Sequence, residues 1–299
     1  MSNAIETFGL GKSFAKNAAV RGLNLAVPEG AVFAFLGPNG AGKTTTIKML
    51  MNIIKPSEGR ASVLGVPSTD LGARDFQQIG YVSENQEISE WMTVRRLIHY
   101  CKAFYPTWDE AFCDRLFEQF QLPLDRPIKS LSRGMRMKAT LVSSLVYRPR
   151  LLVLDEPFTG LDVLVRDEFV RGVLELSEQE NWTVFISSHD IDEVERLADW
   201  VGIMKEGELQ LCEPVSSLQG RFRKVEATLP SESGDIDQVP ESWLLVERAG
   251  HRLSFVESRF SNGNTELELR RRVPGCEQVD TNPMSLREIF LALARTYRL

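Results

Sequence analysis

The chain has 299 residues, 43% hydrophobic and 25% charged, an ordinary globular composition with room for a sizeable core and more than one domain. A formal net charge of −6 argues against nucleic acid as the main partner, and no apolar run approaches the roughly 18 residues that span a bilayer. The opening MSNAIETFGLGKSF lacks the basic-then-apolar pattern of a signal peptide, and Cys101, Cys113, Cys212 and Cys276 form no CxxC pair, so reduced thiols and a cytoplasmic location are expected.

Residues 31 to 36, AVFAFL, predict a short buried strand. The glycine-rich stretch GPNGAGKTT follows at once, and TIKMLMNII then has helical pattern and propensity. Strand, glycine loop and helix make an α/β unit. From about residue 85 to 145 the pattern turns helical. Thr107-Trp108-Asp109-Glu110 reads as a capping box, with Phe112, Leu116, Phe117 and Phe120 behind it at helical spacing. Apolar strands return at LLVLDE (151–156) and TVFISSH (183–189). The helix VRDEFVRGVLELSEQ between them has apolar positions at Phe169, Val170, Val173, Leu174 and Leu176. Such alternation predicts a mostly parallel sheet. Beyond about residue 220 the short segments VEATL, WLLVE, RLSFVE and TELELR, separated by SESGD and SNGN, predict a small β-rich domain. SLREIFLALAR closes it as an amphipathic helix with Ser285 and Glu288 as a capping box. The expected domains are therefore 1–220, with the helical insert inside it, and 221–299.

GPNGAGKTT matches G-x-x-x-x-G-K-[ST] in full. In the loop Gly37, Pro38, Asn39, Gly40, Ala41 and Gly42 the glycines let successive backbone N–H groups turn inward around a triphosphate, in front of a helix N-terminus. Lys43 is expected at the β- and γ-phosphates, and Thr44, with Thr45 behind it, at Mg²⁺. An aspartate at the end of a buried strand beside such a loop can hold Mg²⁺ through water, the part expected of Asp155. Glu156 follows as the general base that polarises the attacking water.

With these motifs the chain resembles the nucleotide-binding subunits of ABC transporters, over residues 1 to about 210. LSRGM (131–135) resembles the family signature LSGGQ, with Ser132 and Gly134 kept and Arg133 and Met135 substituted. Gly160–Asp162 resembles the D-loop, and His189 in SSHD the switch histidine. Phe14 stands where the family stacks an aromatic ring on adenine. In the G-Y-x-x-Q segment Glu84 replaces the usual glutamine, with Gln86 as a substitute two residues on. The resemblance implies a P-loop NTPase core with a helical subdomain, ATP and Mg²⁺ as ligands, and hydrolysis by Glu156, His189 and Lys43. It implies nucleotide contacts from Phe14, Glu84, Ser132, Gly134 and Asp162 as well, with metal contacts from Thr44, Asp155 and Glu84. It also implies a head-to-tail pair with a second ATPase subunit, a copy or a paralogue, in which each signature covers the other's γ-phosphate. Finally it implies a separate integral membrane permease, contacted near residues 84–93 with Trp91 and Met92 exposed, that holds the chain at the inner face of the membrane. The substitutions in LSRGM and the tail resemble the bacterial ABC-2-type exporter branch. A soluble, non-transport ABC ATPase is the alternative. Only about ninety residues separate Lys43 from Ser132, with no sustained heptads, which disfavours a repair-type coiled coil. No N-K-x-D motif supports a GTPase.

Overall fold

The computed structural model describes residues 2–15, 17–83, 86, 88–230 and 239–297. The chain divides into two compact units, Met1–Cys212 and Glu213–Leu299.

The first unit begins with two long strands, β1 (Asn3–Phe14) and β2 (Asn17–Pro28), paired antiparallel. The buried β3 (Val32–Leu36) leads through the glycine loop into α1 (Lys43–Leu50). Strands β4 (Glu58–Val63) and β5 (Val66–Pro67) then complete a four-stranded sheet of order β2-β1-β4-β5. Sequence periodicity had not identified this sheet, because its long strands alternate imperfectly across several register shifts. After β6 (Ile79–Ser83) come three helices, α2 (Val94–Lys102), α3 (Glu110–Phe120) and α4 (Arg133–Leu145). Then follow β7 (Leu151–Asp155), α5 (Val163–Glu180), β8 (Thr183–Ser188), β9 (Trp200–Lys205) and β10 (Glu208–Pro214).

The central sheet has the order β10-β9-β3-β8-β7-β6, and the pairs β9–β3, β3–β8, β8–β7 and β7–β6 are parallel. Every residue of β3, β7 and β8 is buried, as expected of parallel strands covered on both faces. The helical insert lies between β6 and β7, which are direct neighbours, so it leaves and re-enters the sheet without disturbing the strand order. In the core the Phe185 ring lies between Phe33 and Phe35, at 5.6 and 5.3 Å between centroids.

The α3 cap differs from the expectation. Thr107 donates its hydroxyl to the Tyr147 carbonyl, and Asp109 caps the helix by accepting the Phe112 N–H at 2.9 Å. Asp109 also pairs with Arg148, and the N–H and guanidinium together hold its carboxyl below the usual range. A carboxylate so held makes a better cap than a threonine hydroxyl.

The second unit carries α6 (Val215–Arg221) and an antiparallel sheet of β11 (Arg223–Thr228), β12 (Trp243–Ala249), β13 (Arg252–Glu257) and β14 (Val279–Pro283), in the order β12-β13-β11-β14. Its core joins Val225, Leu253, Leu269 and Val273 to a stacked Trp243–Phe255 pair 4.0 Å apart. TELELR is not a strand but lies in α7 (Asn264–Arg272). Its residues are strong helix formers, and Glu266–Arg270 and Glu268–Arg272 pair at i,i+4, a spacing that only a helix brings together. The capping box before α8 (Leu286–Tyr297) forms as expected. Ser285 N–H donates to the Glu288 carboxylate at 2.8 Å and Glu288 N–H to the Ser285 hydroxyl at 3.2 Å. Among the described residues no helix is long and apolar enough to cross a membrane.

Phe185→Ala removes the ring that joins the central strand to both its neighbours on β3. It is expected to cost about 3–5 kcal/mol, read as a lower urea midpoint at unchanged slope.

Candidate functional site

The C-terminal ends of β3, β7 and β8 converge on the glycine loop, the crevice where open parallel sheets bind ligands. Pro38, Asn39 and Gly40 are exposed at the turn of the loop, while Ala41 is buried. Gly42 caps α1 at φ +106, and a Cβ there would stand 2.5 Å from the Ala19 carbonyl oxygen, so only glycine fits. Thr44 and Thr45 are half-buried in the first turn of α1.

Lys43 is only 4% exposed, and its ammonium is fully engaged. Nζ donates to the Gly37 carbonyl at 2.6 Å and the Pro38 carbonyl at 3.2 Å, and lies 3.0 Å from Glu156 Oε1. The other Glu156 oxygen is 2.7 Å from His189 Nδ1, so the tautomer with a proton on Nδ1 donates to it. Burial alone would push the Glu156 carboxyl up. The His189 hydrogen bond and the Lys43 charge outweigh burial and hold it below the usual range. Asp155 behaves oppositely. It is buried, and desolvation raises it despite hydrogen bonds from Ser187 at 2.8 Å and Thr44 at 3.0 Å. Two adjacent carboxyls thus differ in environment, the arrangement that separates their roles.

Glu156 also sits at φ +52, the left-handed region, which costs a non-glycine residue energy that its surroundings must offset. Its N–H donates to the Ser187 hydroxyl at 3.0 Å, and its side chain is held by Lys43 and His189. The strain turns the carboxylate out of the strand direction and toward the phosphate loop's lysine. Thr44 and Asp155 offer a hydroxyl and a carboxylate side by side, an oxygen-only set that suits a hard divalent cation such as Mg²⁺.

The structure therefore brings together Lys43, Thr44, Asp155, Glu156 and His189. Glu84 lies outside the described residues, and Gln86 lines a cleft with Ser83, Leu131 and Arg133. Phe14 is half-exposed at the end of β1, with Lys12 Nζ 5.2 Å from its ring centroid. Ser132 and Asp162 each cap a helix, accepting from Met135 N–H at 3.2 Å and Val165 N–H at 2.9 Å.

Those two helix starts touch. A Cβ on Gly134 would stand 2.6 Å from Val165 Cγ1, so the glycine lets α4 approach α5. The Arg133 guanidinium lies against Gly160, with Nη1 2.5 Å from where a Cβ would stand. Sequence reading had treated Arg133 only as a mark of branch. It had also missed Ser187, which supports both acids, although a hydroxyl at the end of the strand before His189 was its signal.

Comparison with known proteins points to one family. The sequence profile of the family described as ABC transporter matches residues 20–159. The chain is 34% identical over 226 residues to the bacitracin transport ATP-binding protein BcrA of Bacillus licheniformis, covering 75% of this chain and 74% of that one. It is 32% identical over 203 residues to the lantibiotic transport ATP-binding protein SrtF of Streptococcus pyogenes, covering 68% of this chain and 87% of the other. Among solved structures it resembles cbiO1 of Clostridium perfringens, part of the ABC transporter complex cbiONQ. That match has a TM-score of 0.62 and 27% identity, and covers 74% of this chain and 92% of that one.

Gly134→Val is expected to destabilise the chain by about 1–3 kcal/mol through overpacking against α5. Adding Val165→Ala should recover most of that loss, read as a positive coupling in a denaturation double-mutant cycle.

Proposed function

We propose a working cycle from the premise that this chain belongs to the family of ABC transporter ATP-binding subunits, and is an ATPase by that membership. In this reading the subunit pairs with a second ATPase subunit, a copy or a paralogue, around two ATP molecules. The pair drives export through a separate membrane permease. The observation that carries the reading is the Lys43–Glu156–His189 cluster at the mouth of the glycine loop.

The ammonium of Lys43 exchanges the Gly37 and Pro38 carbonyls for the β- and γ-phosphates. The exchange replaces two neutral acceptors by anionic ones, which favours it electrostatically. It also releases Glu156 Oε1, while His189 keeps its hydrogen bond to the other oxygen, so a carboxylate is left free to act as a base. His189 orients the other oxygen and presents its ring to the γ-phosphate side. Thr44 would hold Mg²⁺ directly and Asp155 through water, and the ion would neutralise phosphate charge. Backbone N–H groups of the loop and the start of α1 cradle the phosphates, and Phe14 offers its exposed ring to adenine.

Ser132 and Gly134 open α4, a thirteen-residue helix whose start is suited to an anion from a second subunit. Val163 and Leu164, beside Asp162, are 75% and 77% exposed, a patch that burial against a partner would cover. Permease docking is supported by a cleft of about 310 Å³ lined by Met51, Ile53, Phe76, Gln86, Tyr105 and Tyr147. Near it in sequence Tyr100 and Phe104 are exposed and in edge contact. Trp91 is exposed as expected, but Met92 is half-buried. The two relatives named for bacitracin and lantibiotic transport support a transport subunit over a soluble, non-transport ATPase.

Glu156→Gln is expected to lower turnover by on the order of a hundredfold or more while trapping an ATP-bound pair. Light scattering should then show doubled mass with ATP, and a monomer under those conditions would defeat the paired-site reading. Ser132→Arg should block hydrolysis while leaving ATP binding to the subunit's own loop intact, read by a fluorescent analogue. Retained turnover would remove Ser132 from the site.

A further inference from the structure

One buried acid takes no part in the cluster around Lys43. Glu193 is 5% exposed, and a carboxylate in such a place is costly unless its oxygens are paired. Its Oε1 lies 3.3 Å from an Arg166 guanidinium nitrogen, and its Oε2 accepts the Ser188 hydroxyl at 2.5 Å. These partners sit on the two segments that frame the site.

Ser188 ends β8 and immediately precedes His189, the residue 2.7 Å from Glu156. Its hydroxyl also accepts the Asp190 N–H at 3.0 Å, and its carbonyl accepts the Gly37 N–H of the glycine loop at 3.3 Å. Arg166 lies one turn into α5, where its N–H donates to the Asp162 carbonyl at 3.0 Å. Arg166 Nε is buried and has no hydrogen-bond partner among the described residues, and the charge of the guanidinium faces the Glu193 carboxylate. A second bridge, Arg196–Asp167 at 3.2 Å, joins the same two segments at the surface, where water and salt weaken it.

We propose that Glu193 is a positioning residue that ties the Ser188–His189 turn to the first turn of α5, so that the histidine at Glu156 and the helix start at Asp162 move together. The inference rests on the ATPase reading above. It assigns Glu193 and Arg166 to the rate of hydrolysis rather than to nucleotide affinity. A pair that only held the fold would alter stability and turnover in proportion.

The test uses the full chain. Glu193→Gln keeps the volume and an acceptor for Ser188 but removes the charge facing Arg166. Arg166→Met removes the guanidinium, and Arg196→Ala breaks only the surface bridge. The first two are expected to lower kcat on the order of tenfold to a hundredfold with KM and binding of a fluorescent ATP analogue unchanged, measured well below a melting temperature that the unpaired buried charge lowers. The double variant Glu193→Gln, Arg166→Met should be no slower than its slower parent, and Arg196→Ala should match the wild type. The ring ¹⁵N resonance of His189 should move in Glu193→Gln and stay in Arg196→Ala. Wild-type kcat in both core variants would overturn the proposal, as would a loss of kcat that tracks melting temperature with the His189 signal unmoved. If Glu193→Gln fails to fold, Ser188→Ala cuts the link to the histidine turn while leaving Glu193 paired with Arg166, and the same outcomes decide. A wild-type chain that binds the analogue yet hydrolyses no faster than Glu156→Gln would instead overturn the ATPase reading, and the inference with it.

Discussion

Lys43 carries a positive charge into a place that water scarcely reaches, and the ends of three parallel strands are arranged around that charge. Two loop carbonyls and Glu156 surround the ammonium, and His189 holds the far side of Glu156. An uncompensated ammonium there would cost several kcal/mol, so the pairing is a condition of the fold as well as of the chemistry. The donor these acceptors surround, the Lys43 ammonium, is what a triphosphate requires. In the proposed cycle a ligand that supplies anionic oxygens would take over the neutralisation and free the carboxylate, which would link occupancy of the loop to readiness of the base.

A second constraint is close approach. Gly134 and Gly160 carry no side chain where Val165 and Arg133 come near, and this brings the starts of α4 and α5 into contact. Both starts are capped by short polar side chains, Ser132 and Asp162, each of which satisfies one N–H of its helix's first turn. The contact connects the helical insert to the segment that follows Glu156. Through Arg166 and Glu193 that segment is tied to the turn carrying His189. The chain thus has a continuous polar and packed route from the insert to the acid and its histidine.

Much of this was legible from residue order. AVFAFL, LLVLDE and TVFISSH are short and uniformly apolar, and their lengths and flanks admit little besides buried strands. GPNGAGKTT states its ligand class through its glycines and lysine alone. The errors came where a local pattern admits two periods or two caps. TELELR alternates well enough for a strand, yet its charges also pair at i,i+4, and the helix wins through those pairs. Thr107 and Asp109 are both acceptable caps, and Arg148, 39 residues away, favours the aspartate. Glu193 sits in DIDEVER, which reads as a solvated run of charge, and nothing nearby in sequence shows that it is buried.

The sequence by itself determined the buried strands of the central sheet, the phosphate loop, the acidic pair after β7 and, through several such short motifs, the family, because each motif is carried by residues within about ten positions of one another. Only the tertiary structure decided which groups share a charge. Lys43 meets Glu156, Thr44 meets Asp155, and Arg166 meets Glu193 across separations that local propensity does not encode. Parallel pairing of β3, β7 and β8 brings their C-terminal ends to one edge, and burial there makes each ionic partner obligatory.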